Sequence, residues 1–494
     1  MSVRELVKDL LRYFPSQIVP ALIAFVSIPL LTNLFPPNEY GDYRLVLATI
    51  ALVSPIAGWL TTANLRFYPE SEHNHELDNL YASNFWLLLV SVGAAGALWG
   101  GALLLLHGSM RLELTQMFVI GLVLLLVNVT FSITGSLVRS RRAVSWYSVG
   151  AVGRSVLNLG LGLLLVFTVS RSLSAYLMGM VLAGMLVIPL FWWQGTRRVT
   201  YALRDMVDWK LAGSMFRYAF PLLFASSAAW LLRLSDRYIL AAFRGTTEVG
   251  IYAASYGLAD SSVGVVLTMI QLPFVVLGNQ VFERRGDEEA ASFLAKAARI
   301  YLLVAIPAAA GVTALGKPLV DALTGQGYAE GYRILPFVTA ASVLAGLSFW
   351  METPFIFRKR TVLTLFGIGA GAIVNVGLNI LLIPRYGYMA AAVTTLLGYL
   401  TLDVVAFVVS RRILKWRLPL DTLAKTALVS LVMAGIVSGF VRVSPFPTGV
   451  TIVIGMAIGA VVVGVGLVAM REVSRKELGE LRALLAGSIR GRLD

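Results

Sequence analysis

Three ionisable residues interrupt one apolar stretch of this sequence: Arg233, Asp236 and Arg237. Charges at bilayer depth are costly unless paired or wetted, so they mark either a lock between helices or a pathway. Ser226, Trp230, Arg233 and Arg237 recur at i, i+4, i+7 and i+11, which is one face of a helix. As a cationic stripe on a cavity they would suit an anionic cargo. Arginine in particular matches phosphate, because its planar fork gives two parallel hydrogen bonds and stays charged in a dry site. As a structural device, Asp236 would pair with Arg233 three residues back. Arg154 lies one turn from Asn158 and divides evenly between cavity lining and structural pairing. Asp260 reads equally as a cation or proton site and as an arginine's partner. Glu352 and Asp403 stand nearer the expected inner ends of their helices and suit structure or gating, as does Arg66 at the interface.

The elements that position these residues are hydrophobic stretches recurring along all 494 residues. About fourteen reach the roughly 20 residues that a spanning helix needs, from 14–34 to 448–470. The composition agrees: 57% apolar and 14% charged, with a mean hydropathy of +0.78. The expected fold is therefore all-α and polytopic. No cysteine is present, so thiol and disulfide chemistry are excluded. The three histidines, His73, His75 and His107, form no familiar metal spacing, and nothing calls for a metal or cofactor. The net charge of +14 has no folded basic module to carry it, so nucleic acid is not an expected partner. Instead the cations alternate between connections. Clusters such as Arg139, Arg141, Arg142 and Arg358, Lys359, Arg360 face single cations such as Arg111 and Arg385. The positive-inside rule then puts both termini in the cytoplasm.

Two short patterns recur. Glu39-Tyr40-Gly41-Asp42-Tyr43 pairs with Glu248-Val249-Gly250-Ile251-Tyr252, and Asn158-Leu159-Gly160-Leu161 with Asn375-Val376-Gly377-Leu378. The offsets are about 209 and about 217 residues, in the same order, which predicts a duplication of six spans. Six is even, so both halves face the same way, as in transporters built from parallel repeats around a central cavity. The expected organisation is an N-terminal lobe over 1–200, a C-terminal lobe over 201–418 in pseudo-twofold relation to it, two added helices over 419–470, and an amphipathic cytoplasmic tail over 471–494. The basic stretch of about 195–213 is the expected linker between lobes. Asn158 and Asn375 become equivalent positions and, with Asp236 and Asp260, candidates for lining the cavity or coupling an ion.

The run Leu234-Ser235-Asp236-Arg237-Tyr238-Ile239-Leu240 with Glu248-Val249-Gly250-Ile251-Tyr252 resembles the O-antigen type polysaccharide flippases of the multidrug/oligosaccharidyl-lipid/polysaccharide exporter superfamily. Arg66-Phe67-Tyr68-Pro69-Glu70 and Ile383-Pro384-Arg385-Tyr386-Gly387, followed by Ala390-Ala391-Ala392, are similar to that family's patterns. The resemblance implies a cytoplasmic-membrane protein that flips an undecaprenyl-diphosphate-linked oligosaccharide by alternating access. Arg233, Arg237 and Arg154 would then meet the diphosphate. Membrane lipids, a counter-ion (Na+ or H+) and polysaccharide polymerase machinery are the further implied partners. Lipid II flippases carry arginines in their first helix and cation-coupled drug exporters often an acid there. The stretch from Phe14 to Phe35 has neither, which favours the polysaccharide branch. The alternatives are a multidrug exporter of the same superfamily and, from another class, a membrane glycosyltransferase or polymerase. The latter needs a sizeable aqueous domain, and the longest outer connection, with Lys317, Asp321, Glu330 and Arg333, is short for one. A transporter rather than an enzyme is the expectation.

Overall fold

The computed structural model describes residues 14–106, 108, 110–196 and 207–472. The expected amphipathic tail, most of the expected linker and His107 lie outside these residues. Among the described residues the regular secondary structure is helical. In order it comprises α1 (Pro15–Leu34), α2 (Pro37–Ala57), α3 (Leu60–His73), α4 (Leu77–Leu106), α5 (Leu112–Ser140), α6 (Val144–Thr168), α7 (Leu173–Thr196), α8 (Trp209–Arg244), α9 (Thr246–Ala314), α10 (Gly316–Leu323), α11 (Leu335–Phe357), α12 (Thr364–Arg411), α13 (Leu420–Val443) and α14 (Thr448–Ala469). In lipid the backbone has no water to bond with, so each crossing must close its own hydrogen bonds, which a helix does.

Among the described residues twelve helices are long and apolar enough to cross a membrane. Two of the long elements are each interrupted by one residue that is not helical. The helix α9 breaks at Gly286 (φ 79°) and α12 at Gly387 (φ 56°). Both dihedrals lie in the left-handed region that favours glycine. Conversely, the expected second span, 44–64, is two helices. Pro55 cannot donate to the ladder, and the chain turns at Gly58 and Trp59 before α3 begins. The expected span 300–322 also ends early. The helix α9 stops at Ala314, and the connection beyond it folds into α10 and a 3-10 turn over Gln326–Ile334.

By packing, the chain divides into two compact units. One draws on residues up to Ala254 together with Ile368–Thr394, the other on Ser255–Gly367 and the residues from Thr395 onward. In the first unit Phe191, fully buried, stacks on Phe131 at 4.8 Å and lies 5.9 Å from Tyr147. Gly150 admits it, since a Cβ there would overlap the Phe191 ring. In the second unit Trp350 packs between Phe274 at 5.6 Å and Tyr301 at 6.2 Å. Gly455 and Gly459 bring α14 against α13 and Leu315 in the same unit, so this small-residue pair serves packing inside the chain.

The duplicated Glu-x-Gly-x-Tyr motifs touch each other within the first unit. A Cβ on Gly41 would overlap the carbonyl oxygen of Thr246, and one on Gly250 would overlap that of Pro37. Each glycine therefore meets the residue four places before the other glycine. Reciprocity of this kind is the signature of a twofold contact, here internal to one chain. The motif tyrosines Tyr43 and Tyr252 are both buried.

Candidate functional site

The helix α8 carries the charged stripe. Its start is fixed by Asp208, whose Oδ1 accepts from the backbone N–H of Lys210 and Leu211 at 3.0 Å each. This is an N-cap that satisfies two otherwise orphaned donors. Along the helix, Trp230 Nε1 donates to the Ala48 carbonyl at 2.8 Å, and Tyr238 shares a hydroxyl hydrogen bond with Thr49, so α8 is pinned to α2 on either side of the charges.

The stripe then divides. Arg233 is exposed. Arg237 is 1% exposed and turned into the fold. Its Nη1 donates to the Arg233 carbonyl at 2.9 Å and lies 3.4 Å from Asp236 Oδ1, and its guanidinium stands 5.8 Å from the Tyr252 ring centre. Asp236, also buried, accepts from the Tyr252 hydroxyl at 2.5 Å. The acid, the cation and the phenol form one buried network linking α8 to the start of α9.

Arg154 lies elsewhere in the same unit. It bonds Asn128 Oδ1, and its guanidinium stacks over Phe131 at 4.1 Å. On the same helix Asn158 keeps a buried Oδ1 that no protein group bonds. Asn375 is fully buried and receives a hydrogen bond from Asn379 at 3.1 Å, while Thr394 donates to Asn379. Both Asn158 and Asn375 stand near the middle of a helical arm. The i, i+4 pair Asn375 and Asn379 was readable from spacing; the addition of Thr394 required the fold.

A further pairing joins two of the motifs that carry the family resemblance. Glu248 accepts from the Tyr388 backbone N–H at 3.0 Å and from Arg244 Nε at 2.8 Å. The turn at Gly387 passes so close that a Cβ there would strike the Glu248 carboxylate. Arg111, an isolated cation in the sequence, bridges the buried Asp42 at 2.7 Å and Thr246 at 3.3 Å beside the reciprocal glycine contact.

In the second unit Asp260 accepts from Ser342 at 3.3 Å. Asp403, 3% exposed, accepts from Ser348 at 2.7 Å, and its Oδ2 has no protein partner. Glu352 follows Ser348 by one turn on α11. Asp403 is thus enclosed rather than bathed at a helix end, while Asp260 and Glu352 are half-buried. Arg66, in the first unit, is exposed and paired with Glu70 at 3.4 Å.

A family model described as "Polysaccharide biosynthesis protein" matches residues 6–275. A search of curated proteins gives no match. Among solved structures, lipid II flippase MurJ in an inward closed conformation superposes with a TM-score of 0.76 at 12% identity, over 94% of this chain and 99% of that one. A multidrug resistance MATE family transporter of the MOP superfamily superposes in its inward-facing conformation with a TM-score of 0.68 at 15% identity, over 82% of this chain and 97% of that one. An outward-facing conformation of a MATE family transporter gives 0.59 at 13% identity, over 82% and 95%. With its order of helices, its kinked arms and its family match over more than half its length, this chain belongs to the polysaccharide biosynthesis protein family and has the fold shared by MurJ and the MATE transporters.

Proposed function

We propose that the protein moves an undecaprenyl-diphosphate-linked oligosaccharide across the cytoplasmic membrane by alternating access. The observation that carries this reading is that Arg233 is exposed far inside α8, about 16 Å from that helix's C-terminal end. A fixed cation at such depth attracts an anionic group, and a diphosphate offers the oxygens its fork can grip. Arg237 and Arg154 are the further diphosphate candidates. Asp236, Asp260, Asn158 and Asn375 are the proposed polar lining or counter-ion positions, and Glu352, Asp403 and Arg66 the gating positions. The reciprocal contact of Gly41 and Gly250 joins the first helix pair of one expected lobe to that of the other. Opening toward the outside would part it.

Export of organic cations is the competing reading, since MATE transporters share the fold. An exposed arginine repels such a cargo, which favours the anionic one. The test is reconstitution of the full chain in proteoliposomes. Labelled lipid-linked oligosaccharide should reach the opposite leaflet and a fluorescent organic cation should not. Arg233→Ala, at equal protein amount, should abolish most of the transport, and Arg233→Lys should restore part of it. Cation transport without lipid transport would overturn the proposal.

A further inference from the structure

Four residues other than glycine hold a positive φ among the described residues: His75 at 60°, and Arg142, Lys359 and Arg471 at 56° each. Each follows the end of a helix and closes it with the same pair of hydrogen bonds. After α5 the N–H of Arg142 donates to the Arg139 carbonyl at 2.9 Å and that of Ala143 to the Val138 carbonyl at 3.2 Å. After α11 Lys359 donates to Ile356 at 3.0 Å and Arg360 to Phe355 at 2.8 Å. After α14 Arg471 donates to Val468 at 3.0 Å and Glu472 to Leu467 at 2.9 Å. This turn satisfies two orphaned carbonyls, and its left-handed position usually holds glycine, because a Cβ there crowds the backbone. Three long cations occupy it instead. A cation in the last helical turn would serve the helix dipole as well, without the strain. The dipole therefore does not explain the placement. The fourth turn, after α3, holds His75 among Glu70, Glu72 and Glu76 and stands apart.

In each of the three turns a neighbouring residue ties the backbone down. Arg141 donates to the carbonyls of Gln194 and Gly195 at the end of α7. Arg358 donates to Asp287 at 2.5 Å and stands over the Phe282 ring at 5.1 Å. Glu472 is held by Thr422 and Lys425. The left-handed cation itself is exposed in every case, and its side chain has no ion-pair or hydrogen-bond partner among the described residues. Lys359 follows Arg142 by 217 residues, the offset that separates Asn375 from Asn158. Beside the first turn, Trp146 and Trp193 are 40% and 54% exposed and meet edge to face at 6.4 Å. Partly exposed indoles belong at headgroup depth. A cation fixed a residue or two beyond a spanning helix lies at that depth too, where the phosphates of anionic lipids are.

We infer that Arg142, Lys359 and Arg471 are fixed contacts for the phosphate groups of anionic phospholipids, on the face that the basic connections assign to the cytoplasm. The inference is independent of the cargo. Each turn gives up the relaxed backbone of glycine to keep a charge at the membrane surface, so fold stability and lipid binding should respond in opposite directions.

The experiment uses the purified full chain, stripped of lipid in a neutral detergent, and reads thermal unfolding. The probes are phosphatidylglycerol, phosphatidylcholine with the same acyl chains, and soluble glycerol phosphate. Phosphatidylglycerol should raise the unfolding temperature by binding the folded chain, and the other two should not. The variant combines Arg142→Gly, Lys359→Gly and Arg471→Gly. Without lipid it should unfold at the wild-type temperature or higher, since glycine accepts the left-handed backbone. It should need on the order of a hundredfold more phosphatidylglycerol for the same shift, about fivefold for each cation removed. An undiminished response of the variant to phosphatidylglycerol would overturn the inference. So would an equal response of the wild-type chain to phosphatidylcholine or to glycerol phosphate. Unfolding of the lipid-free variant below wild type would show that the three cations serve the fold and not the lipid.

Discussion

Arg233 and Arg237 are one helical turn apart on α8, yet their surroundings differ. Arg237 is enclosed, with Asp236 and Tyr252 as its companions. Replacing it by Ala leaves a buried carboxylate without its cation, which costs about 3–5 kcal/mol. Arg237→Ala should therefore lower the unfolding temperature in detergent and reduce the amount of protein in the membrane. Arg233→Ala removes an exposed side chain and should cost less stability than Arg237→Ala, while transport falls. Equal thermal stability of the two variants would defeat this division. Asp403 offers a second contrast. Its Oδ2 meets no protein group, so Asp403→Asn should be tolerated. Ser348→Ala, which removes the hydrogen bond to Oδ1, should cost about 1 kcal/mol, read by the same unfolding measurement.

At the scale of elements, the contact between α2 and α9 depends on two missing side chains. Gly41→Ala or Gly250→Ala would drive a methyl group into a backbone carbonyl and should destabilise by about 1–3 kcal/mol or more, since the backbone must shift. Gly160 and Gly377, from the other duplicated motif, face open space. Alanine there should be neutral or stabilise by about 0.4–1 kcal/mol. Thermal unfolding of the four variants checks both halves of this claim. The end of α14 is held differently. Glu472 receives hydrogen bonds from Thr422 at 2.9 Å and Lys425 at 3.1 Å, and Arg299 reaches its carbonyl. Burial pushes its carboxyl up, but these donors outweigh burial and hold it below the ordinary value of 4.5. A carboxyl depressed on folding stabilises above its unfolded pKa, and that stability is lost as pH falls. The wild-type advantage over Glu472→Gln should accordingly be full near neutral pH and shrink as pH drops through and below 4.5. An advantage that grows in acid would contradict the arrangement.

For the whole molecule, the basic connections predict cytoplasmic termini. With no native cysteine, single cysteines at Ser2 and Ser488 can be tested in intact cells. Both should resist an impermeant reagent added outside and label after the membrane is opened; external labelling of either would reverse the proposed orientation. The proposed duplication makes a separate claim. Spans 1–6 and 7–12 should superpose with Asn158 and Asn375 at equivalent depth, a comparison that an experimental structure of each lobe can make.

The sequence by itself determined that this is a many-helix membrane protein, because apolar runs of spanning length leave no other way to satisfy the backbone. It also exposed the two repeated motifs and the charged stripe, since these are local patterns with helical spacing. The resemblance carried by Leu234–Leu240 and Ile383–Gly387 pointed to the polysaccharide family that the chain proved to belong to. Only tertiary structure decided that Arg233 faces out while Arg237 faces in. Helical spacing places two residues on one face but says nothing of which neighbour covers each. Tertiary structure alone brought Thr394 to Asn379, Glu248 to the Gly387 turn and Gly41 to the carbonyl of Thr246. Such residues are ordinary in any single helix, and their meaning as a group comes from packing between elements distant in sequence.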